Sequence, residues 1–281
     1  MKLISLKPNS ATPSLGFVPR DHWRLARSSR HTPMQNHLLA ALPAADYERL
    51  LPALELVPLR LGWAIYEAGG QLGYVYFPTN GIVSLLYVME NGASAGTAIT
   101  GNEGCIGIAS IMGEDSTPIR TIVRSAGCAY RLKAEVVKRE FERSGPLQHL
   151  LLRYTQALLT QMAQTAACNR HHLLEQQLCR LLLLCLDRLS SNELTITQEL
   201  IAYTLGVRRE GVTVAAGKLQ KDGLIDYRRG HITVMDRPKL EARVCECYAV
   251  VKKEFDRLLP ALPRPGDTSA MRGHSALSGV H

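Results

Sequence analysis

Between Ile196 and Gly217 the chain meets several requirements of one motif at once. A helix-turn-helix needs two helices crossing steeply through a turn of three or four residues. So close a crossing calls for a small residue in the first helix, a glycine in the turn and a β-branched residue inside the second. Ala202, Gly206 and Val212 supply these at steps of four and six. Ile201, Leu205, Ala215 and Leu219 fill the buried positions between them. Thr197 is placed to cap a first helix starting at Gln198, because its hydroxyl can accept from an unpaired first-turn amide.

The second helix is expected to begin at about Arg208. Its early residues Arg208, Arg209, Glu210 and Thr213 are polar and face outward, with Lys218 further along. This is where base-reading side chains stand in a major groove. An arginine grips guanine through O6 and N7, and a glutamate accepts from cytosine N4. After Gly223, "LIDYRRGHITVMD" reads as strand, tight turn and strand, with Arg228, Arg229 and His231 at the tip. Such a wing touches phosphate and adds affinity without sequence choice. A charged helix face or a basic hairpin tip alone is ordinary surface. Their combination with the turn spacing points to double-stranded DNA, with Thr197, Gln198, Arg208, Arg209, Glu210, Thr213, Lys218, Arg228 and Arg229 as the expected contacts.

The net charge of +8 over 281 residues suits a polyanionic partner. Residues 1–35 add Lys2, Lys7, Arg20, Arg24, Arg27 and Arg30 against Asp21 and read as a disordered basic tail. Residues 260–281 are rich in Pro, Gly and Ser and read the same way. The longest apolar run, Leu178–Leu186, is interrupted by Arg180 and fits a buried helix rather than a membrane span. The first residues, with Pro8 and Pro13, lack the apolar core of a secretory signal. The expected location is the cytoplasm. Seven cysteines, an odd number in such a chain, argue against a disulfide framework.

Upstream of the motif the pattern changes twice. "NHLLAALPAADYERLLPALELVPLRLG", from Asn36, reads as short helical turns broken by Pro43, Pro52 and Pro58. From Gly62 to about 140, short β-branched and aromatic runs separated by Gly and Pro predict a β sandwich, barrel or jelly roll. Asn80-Gly81 and Asn91-Gly92 are the expected hairpin turns. Next comes a long helix, taken as 141–172, with Leu147, Leu151, Tyr154, Leu158, Met162 and Thr165 in one stripe. That stripe packs either on the chain's own β domain or on a second copy. Its length and regularity favour a homodimer. The DNA-binding domain is expected over 173–238. One last helix over 239–259 would carry Leu240, Val244, Tyr248, Val251, Phe255 and Leu258 on one face.

A β-roll, a long helix and a C-terminal winged helix-turn-helix, in that order, resemble the cyclic AMP receptor protein/FNR (Crp/Fnr) family of bacterial transcription regulators. The strongest section is "LTITQELIAYTLGVRREGVTVAAGKLQKDGLIDYRRGHITVMDRPKLE". The resemblance implies an α+β fold: an N-terminal β-roll like that of cyclic-nucleotide-binding domains, a dimerisation helix and a winged helix-turn-helix. It puts Arg209 and Glu210 at the base-reading positions and Val212 at the buried one. Arg208 stands where the family has a capping serine, and Val214 where it has a later basic reader, so the target should differ from the family consensus. Members that bind cyclic nucleotides carry Gly-Glu-Leu followed by Arg-Ser/Thr-Ala. Here Glu103 and Gly104 lie in a Gly-rich turn, and Arg120 and Arg124 follow later in an expected strand. These four are weak effector-binding candidates, and cyclic AMP is not the expected ligand.

Oxygen-sensing relatives carry an N-terminal cysteine cluster, and residues 1–104 contain no cysteine. Cys168, His172, Glu175 and Cys179 are spaced to share a helix face and could hold a metal or haem. The family places a hinge near His172–Leu174, which favours simple packing. Cys245 and Cys247, two apart on an expected helix, would point to opposite sides. No cofactor or metal is expected, and the effector is unknown.

These features imply a homodimer reading a near-palindromic DNA site, with RNA polymerase as a further partner if it activates. The alternative is a β-roll scaffold whose helical end binds protein. No nucleophile elbow, phosphate loop or His-Glu-x-x-His motif is present, which argues against an enzyme.

Overall fold

The computed structural model describes residues 31–113, 115–189 and 191–259. Residues 1–30 and 260–281, both expected to be disordered, lie outside the described residues. The packed chain starts slightly before the expected Asn36. Thr32 caps a 3-10 turn over Pro33–Gln35, through a reciprocal pair of bonds with Gln35. Asn36 then caps helix α1 (His37–Ala40), accepting from the Leu38 and Leu39 amides. Its amide nitrogen donates to the carbonyls of Pro78 and Gly104 at 3.0 and 2.8 Å. A fully buried side chain is thereby satisfied and stitches the entry segment to the β-roll.

After α2 (Ala44–Leu50) come seven strands: β1 (Glu55–Leu59), β2 (Ala64–Tyr66), β3 (Tyr74–Pro78), β4 (Ile82–Val88), β5 (Ser94–Thr100), β6 (Arg120–Ser125) and β7 (Gly127–Lys133). They form two antiparallel sheets, ordered β1-β7-β3 and β2-β6-β4-β5. The stretch through Pro58, expected as a broken helical turn, is a strand. It lies at a sheet edge, where a missing N–H costs no ladder bond. Asn91-Gly92 closes the β4–β5 hairpin, with Gly92 at φ +82. Asn80-Gly81 does not close a hairpin, because β3 and β4 belong to different sheets. There Asn80 Oδ1 accepts from the Cys128 amide at 2.7 Å. A side chain on Gly81 would meet Leu59 at 2.8 Å, so the glycine serves close approach between the sheets.

Helix α3 (Ala134–Glu142) leads into the long helix α4 (Pro146–His171), shorter than the expected 141–172. Leu147, Leu151, Tyr154 and Leu158, expected to meet a second copy, are buried with Leu38, Phe77 and Leu132 in the chain's own core. Met162 is half-buried beside that core. Thr165 donates to the Gln161 carbonyl and accepts from Arg180. The stripe therefore packs on the β-roll. The outward face of α4 carries a second seam, His149, Leu152, Gln156, Leu159, Ala163, Ala166 and Arg170, all exposed and at alternating steps of three and four.

The chain breaks at His172–Leu173 and continues as α5 (Leu174–Leu186), buried over most of its length. It then forms β8 (Glu193–Thr195), α6 (Gln198–Leu205), α7 (Arg209–Lys221), β9 (Ile225–Arg228) and β10 (His231–Val234). These three strands form a separate sheet, ordered β8-β10-β9. The final segment is two helices rather than the single one expected: α8 (Arg237–Arg243) and α9 (Cys247–Leu258), with the bend at Val244–Glu246. Helix α9 turns back along α4, where Gln156 donates to Glu254.

Candidate nucleic-acid interface

Helices α6 and α7 form the motif that the spacing predicts. Thr197 caps α6, accepting from the Leu200 amide at 3.2 Å. Gly206 ends it in the left-handed conformation at φ +67, which a side chain would disfavour. Ile201, Ala202, Val212, Ala215 and Leu219 are buried where the helices cross, with Leu205 packed beside them. Arg208 is the N-cap residue of α7 and makes no side-chain capping bond, so the helix proper begins one residue later than expected.

Arg208, Arg209, Glu210, Thr213 and Lys218 are all exposed, and so is Val214. Thr213 Oγ1 donates to Gln198 Oε1 at 2.9 Å and to the Arg209 carbonyl at 3.1 Å. Gln198 is thereby tied to the second helix. The wing turn is a two-residue loop with Arg229 at φ +49 and Gly230 at φ +84. Positive φ at both positions twists the chain to match the flanking strands. Arg228, at the end of β9, is exposed and pairs with Asp226 at 3.0 Å. His231 Nδ1 lies 3.4 Å from Thr195 Oγ1.

Between α7 and the wing lies an open groove. Thr197, Gln198, Arg209, Thr213 and Arg229 line it, five of the nine residues expected to touch DNA. Gln220 and Gly217 line it too. The sequence reading missed both, although 209, 213, 217 and 220 follow one helical stripe. Tyr227 forms part of the wall. Its hydroxyl donates to the Ile196 carbonyl at 3.2 Å, and burial pushes its pKa up.

The four effector candidates are not brought together in this way. Glu103 pairs with Arg188 at 2.7 Å, both side chains largely buried, and its other oxygen accepts from the Gly101 amide. Arg188 also donates to the Leu184 carbonyl and to Gln161. Glu103 thus ties the β-roll to the end of α5. A side chain on Gly104 would stand 2.2 Å from the Tyr154 ring, so this glycine permits packing. Arg120 pairs with Glu67 and donates to Tyr203. Arg124, buried and lowered by desolvation to about 10, donates to Ser84 and to the Leu200 carbonyl of α6.

The proposed Cys168, His172, Glu175 and Cys179 face is also divided. Glu175 pairs with Arg243 at 2.7 Å, and Cys179 is buried in the core of the DNA-binding unit. Cys168 and His172 instead meet Cys245 and Cys247. The last two are not on one continuous helix. Cys245 lies in the bend at Val244–Glu246 and Cys247 opens the next helix, which brings both thiols to one point.

Residues 176–243 match the sequence pattern of a Crp-like helix-turn-helix domain. No curated protein sequence matches the chain. Solved structures do. A chain from Eubacterium rectale assigned to the Crp/Fnr family of transcriptional regulators matches at 20% identity and TM-score 0.57, over 73% of this chain and 96% of its own. FixK2 from Bradyrhizobium japonicum matches at 16% identity and TM-score 0.57, over 68% and 98%. The c-di-GMP responsive global regulator CLP of Xanthomonas campestris matches at 17% identity and TM-score 0.54, over 69% and 100%. At such identities the likeness is one of fold. The sequence match covers residues 176–243, which form a Crp-like helix-turn-helix domain, and the chain as a whole shares the fold of solved Crp/Fnr regulators.

Proposed function

We propose that the protein is a homodimeric, sequence-specific regulator that reads a near-palindromic DNA site. The observation that carries this is the open groove in which Arg209 and Thr213 of α7 stand beside Arg229 of the wing. It offers base readers and phosphate contacts on one face. Arg209 and Glu210 read base edges. Thr197, Gln198, Arg208, Lys218, Arg228 and Arg229 hold the backbone, and Thr213 positions Gln198. With Val214 exposed in place of a basic reader, the later bases of each half-site are read by shape or apolar contact.

The dimer rests on the outward seam of α4, where Leu152 and Leu159 are exposed at 52% and 58%. Two recognition helices about 34–36 Å apart would enter successive major grooves. The effector of the β-roll is not cyclic AMP, since Glu103 is held by Arg188 and stands outside any Gly-Glu-Leu segment. The working place is the cytoplasm, and RNA polymerase is a partner if the protein activates. No helix among the described residues is long and apolar enough to cross a membrane.

Selection from random DNA followed by sequencing tests the reading. The native protein should enrich a two-fold symmetric sequence. The double variant Arg209→Ala/Glu210→Ala should enrich none while keeping salt-sensitive nonspecific binding. A native protein that enriches no sequence would sink the proposal and favour a protein-binding scaffold.

A further inference from the structure

The bend between α8 and α9 brings four side chains from two distant segments to one point. Cys168 lies in the last turn of α4 and His172 follows that helix directly. Cys245 lies in the bend and Cys247 opens α9. Cys168 Sγ is 3.6 Å from Cys245 Sγ, and Cys247 Sγ is 3.4 Å from His172 Nδ1. All four ligand atoms lie within 4.8 Å of one another. Tetrahedral zinc holds sulfur at about 2.3 Å and imidazole nitrogen at about 2.0–2.1 Å, which puts neighbouring ligand atoms roughly 3.5–3.8 Å apart. The four atoms need only small adjustments to reach that geometry.

The surroundings are those of a ligand shell. His172 Nε2 lies 3.3 Å from Glu246 Oε1. A carboxylate there fixes the tautomer that leaves Nδ1 free to ligate. Gln164 donates to Cys247 Sγ at 3.1 Å. The Arg180 guanidinium lies against Cys168. Three thiolates around a divalent cation keep one net negative charge, and a nearby guanidinium offsets it. The three thiols form a buried cluster of their own with Val244 beside it, whereas Cys105, Cys179 and Cys185 are dispersed in the large apolar cores.

We propose that Cys168, His172, Cys245 and Cys247 bind one zinc-class divalent ion in a closed, structural Cys3His site. Four protein ligands with the thiols buried leave no open position for a reacting water. The ion staples the α8–α9 bend to the point where α4 hands over to α5. All four ligands of this site lie outside the matched helix-turn-helix segment, and the site stands or falls independently of DNA reading.

The test uses the full chain purified under reducing conditions without chelator. Elemental analysis should find one zinc per chain. After removal of zinc, cobalt(II) should give the intense red-region ligand-field bands of tetrahedral coordination and a near-ultraviolet thiolate charge-transfer band. Cys247→Ser should lose stoichiometric metal, and Cys128→Ala, outside the cluster, should keep it. Glu246→Gln, at an exposed side chain that need not disturb folding, should retain the cobalt spectrum with affinity weakened roughly 10–100-fold. The proposal is overturned if fully reduced protein holds no zinc and takes up no cobalt. It is equally overturned if Cys128→Ala loses as much metal as Cys247→Ser, or if mass spectrometry finds a Cys168–Cys245 disulfide in place of metal.

Discussion

Arg229 occupies a backbone conformation that non-glycine residues seldom adopt, with φ +49. The hairpin holds it there because β9 and β10 are paired from Ile225–Val234 to Arg228–His231, leaving two residues to close the turn. That geometry leaves both Arg228 and Arg229 exposed beside the groove. If both sit on phosphate, replacing them with alanine should weaken specific and nonspecific binding alike and lower the salt slope by about two. Titrations of DNA binding at several salt concentrations measure this. An unchanged slope would place the wing away from the duplex. Glu103 carries a different expectation. Its pair with Arg188 is buried, so Glu103→Gln removes one partner and leaves the other, a change that costs about 3–5 kcal/mol in comparable pairs. Chemical denaturation reads that loss directly. A variant of native stability would free Glu103 for an effector role.

At the scale of elements, the local signals were legible and the choice between faces was not. The helix-turn-helix could be read because its constraints all fall within Ile196–Gly217, where a few small and β-branched residues decide the crossing. The β-roll strands could be read from their short β-branched runs. Helix α4, however, carries two seams. The richer one, through Leu151 and Tyr154, is buried inside the chain, and the sparser one, through Leu152 and Leu159, is left outside. Periodicity picks out the richer seam and does not say which partner it meets, and the sparser one emerges only from the exposure of its residues. Leu152→Asp/Leu159→Asp should therefore give a monomer by light scattering with an unchanged far-ultraviolet circular dichroism spectrum. A dimer surviving this change would mean that another face makes the contact. The bend at Val244–Glu246 was also hidden, since "RVCEC" contains neither glycine nor proline. Only the packing of α9 along α4 reveals it, and with it the convergence of Cys168 and Cys245 across 77 residues of chain.

Across the whole molecule, the β-roll grips the DNA-binding unit at α6. Arg124 on β6 donates to the Leu200 carbonyl at 2.9 Å, and Ser94 on β5 donates to the Tyr203 carbonyl at 3.1 Å. Gly96 lies so near the Thr204 carbonyl that a side chain would stand 2.6 Å from it. The Tyr203 carbonyl, in the last turn of α6, lacks a partner within the helix, and Ser94 supplies one. These contacts address main-chain oxygens, a feature that every amino acid possesses. The outward residues of α6 and α7 can therefore change, and with them the genes addressed, while the grip on the reading head persists. Point mutations on that outward face would change the sequence that the proposed reading head selects without rebuilding its contact with the β-roll.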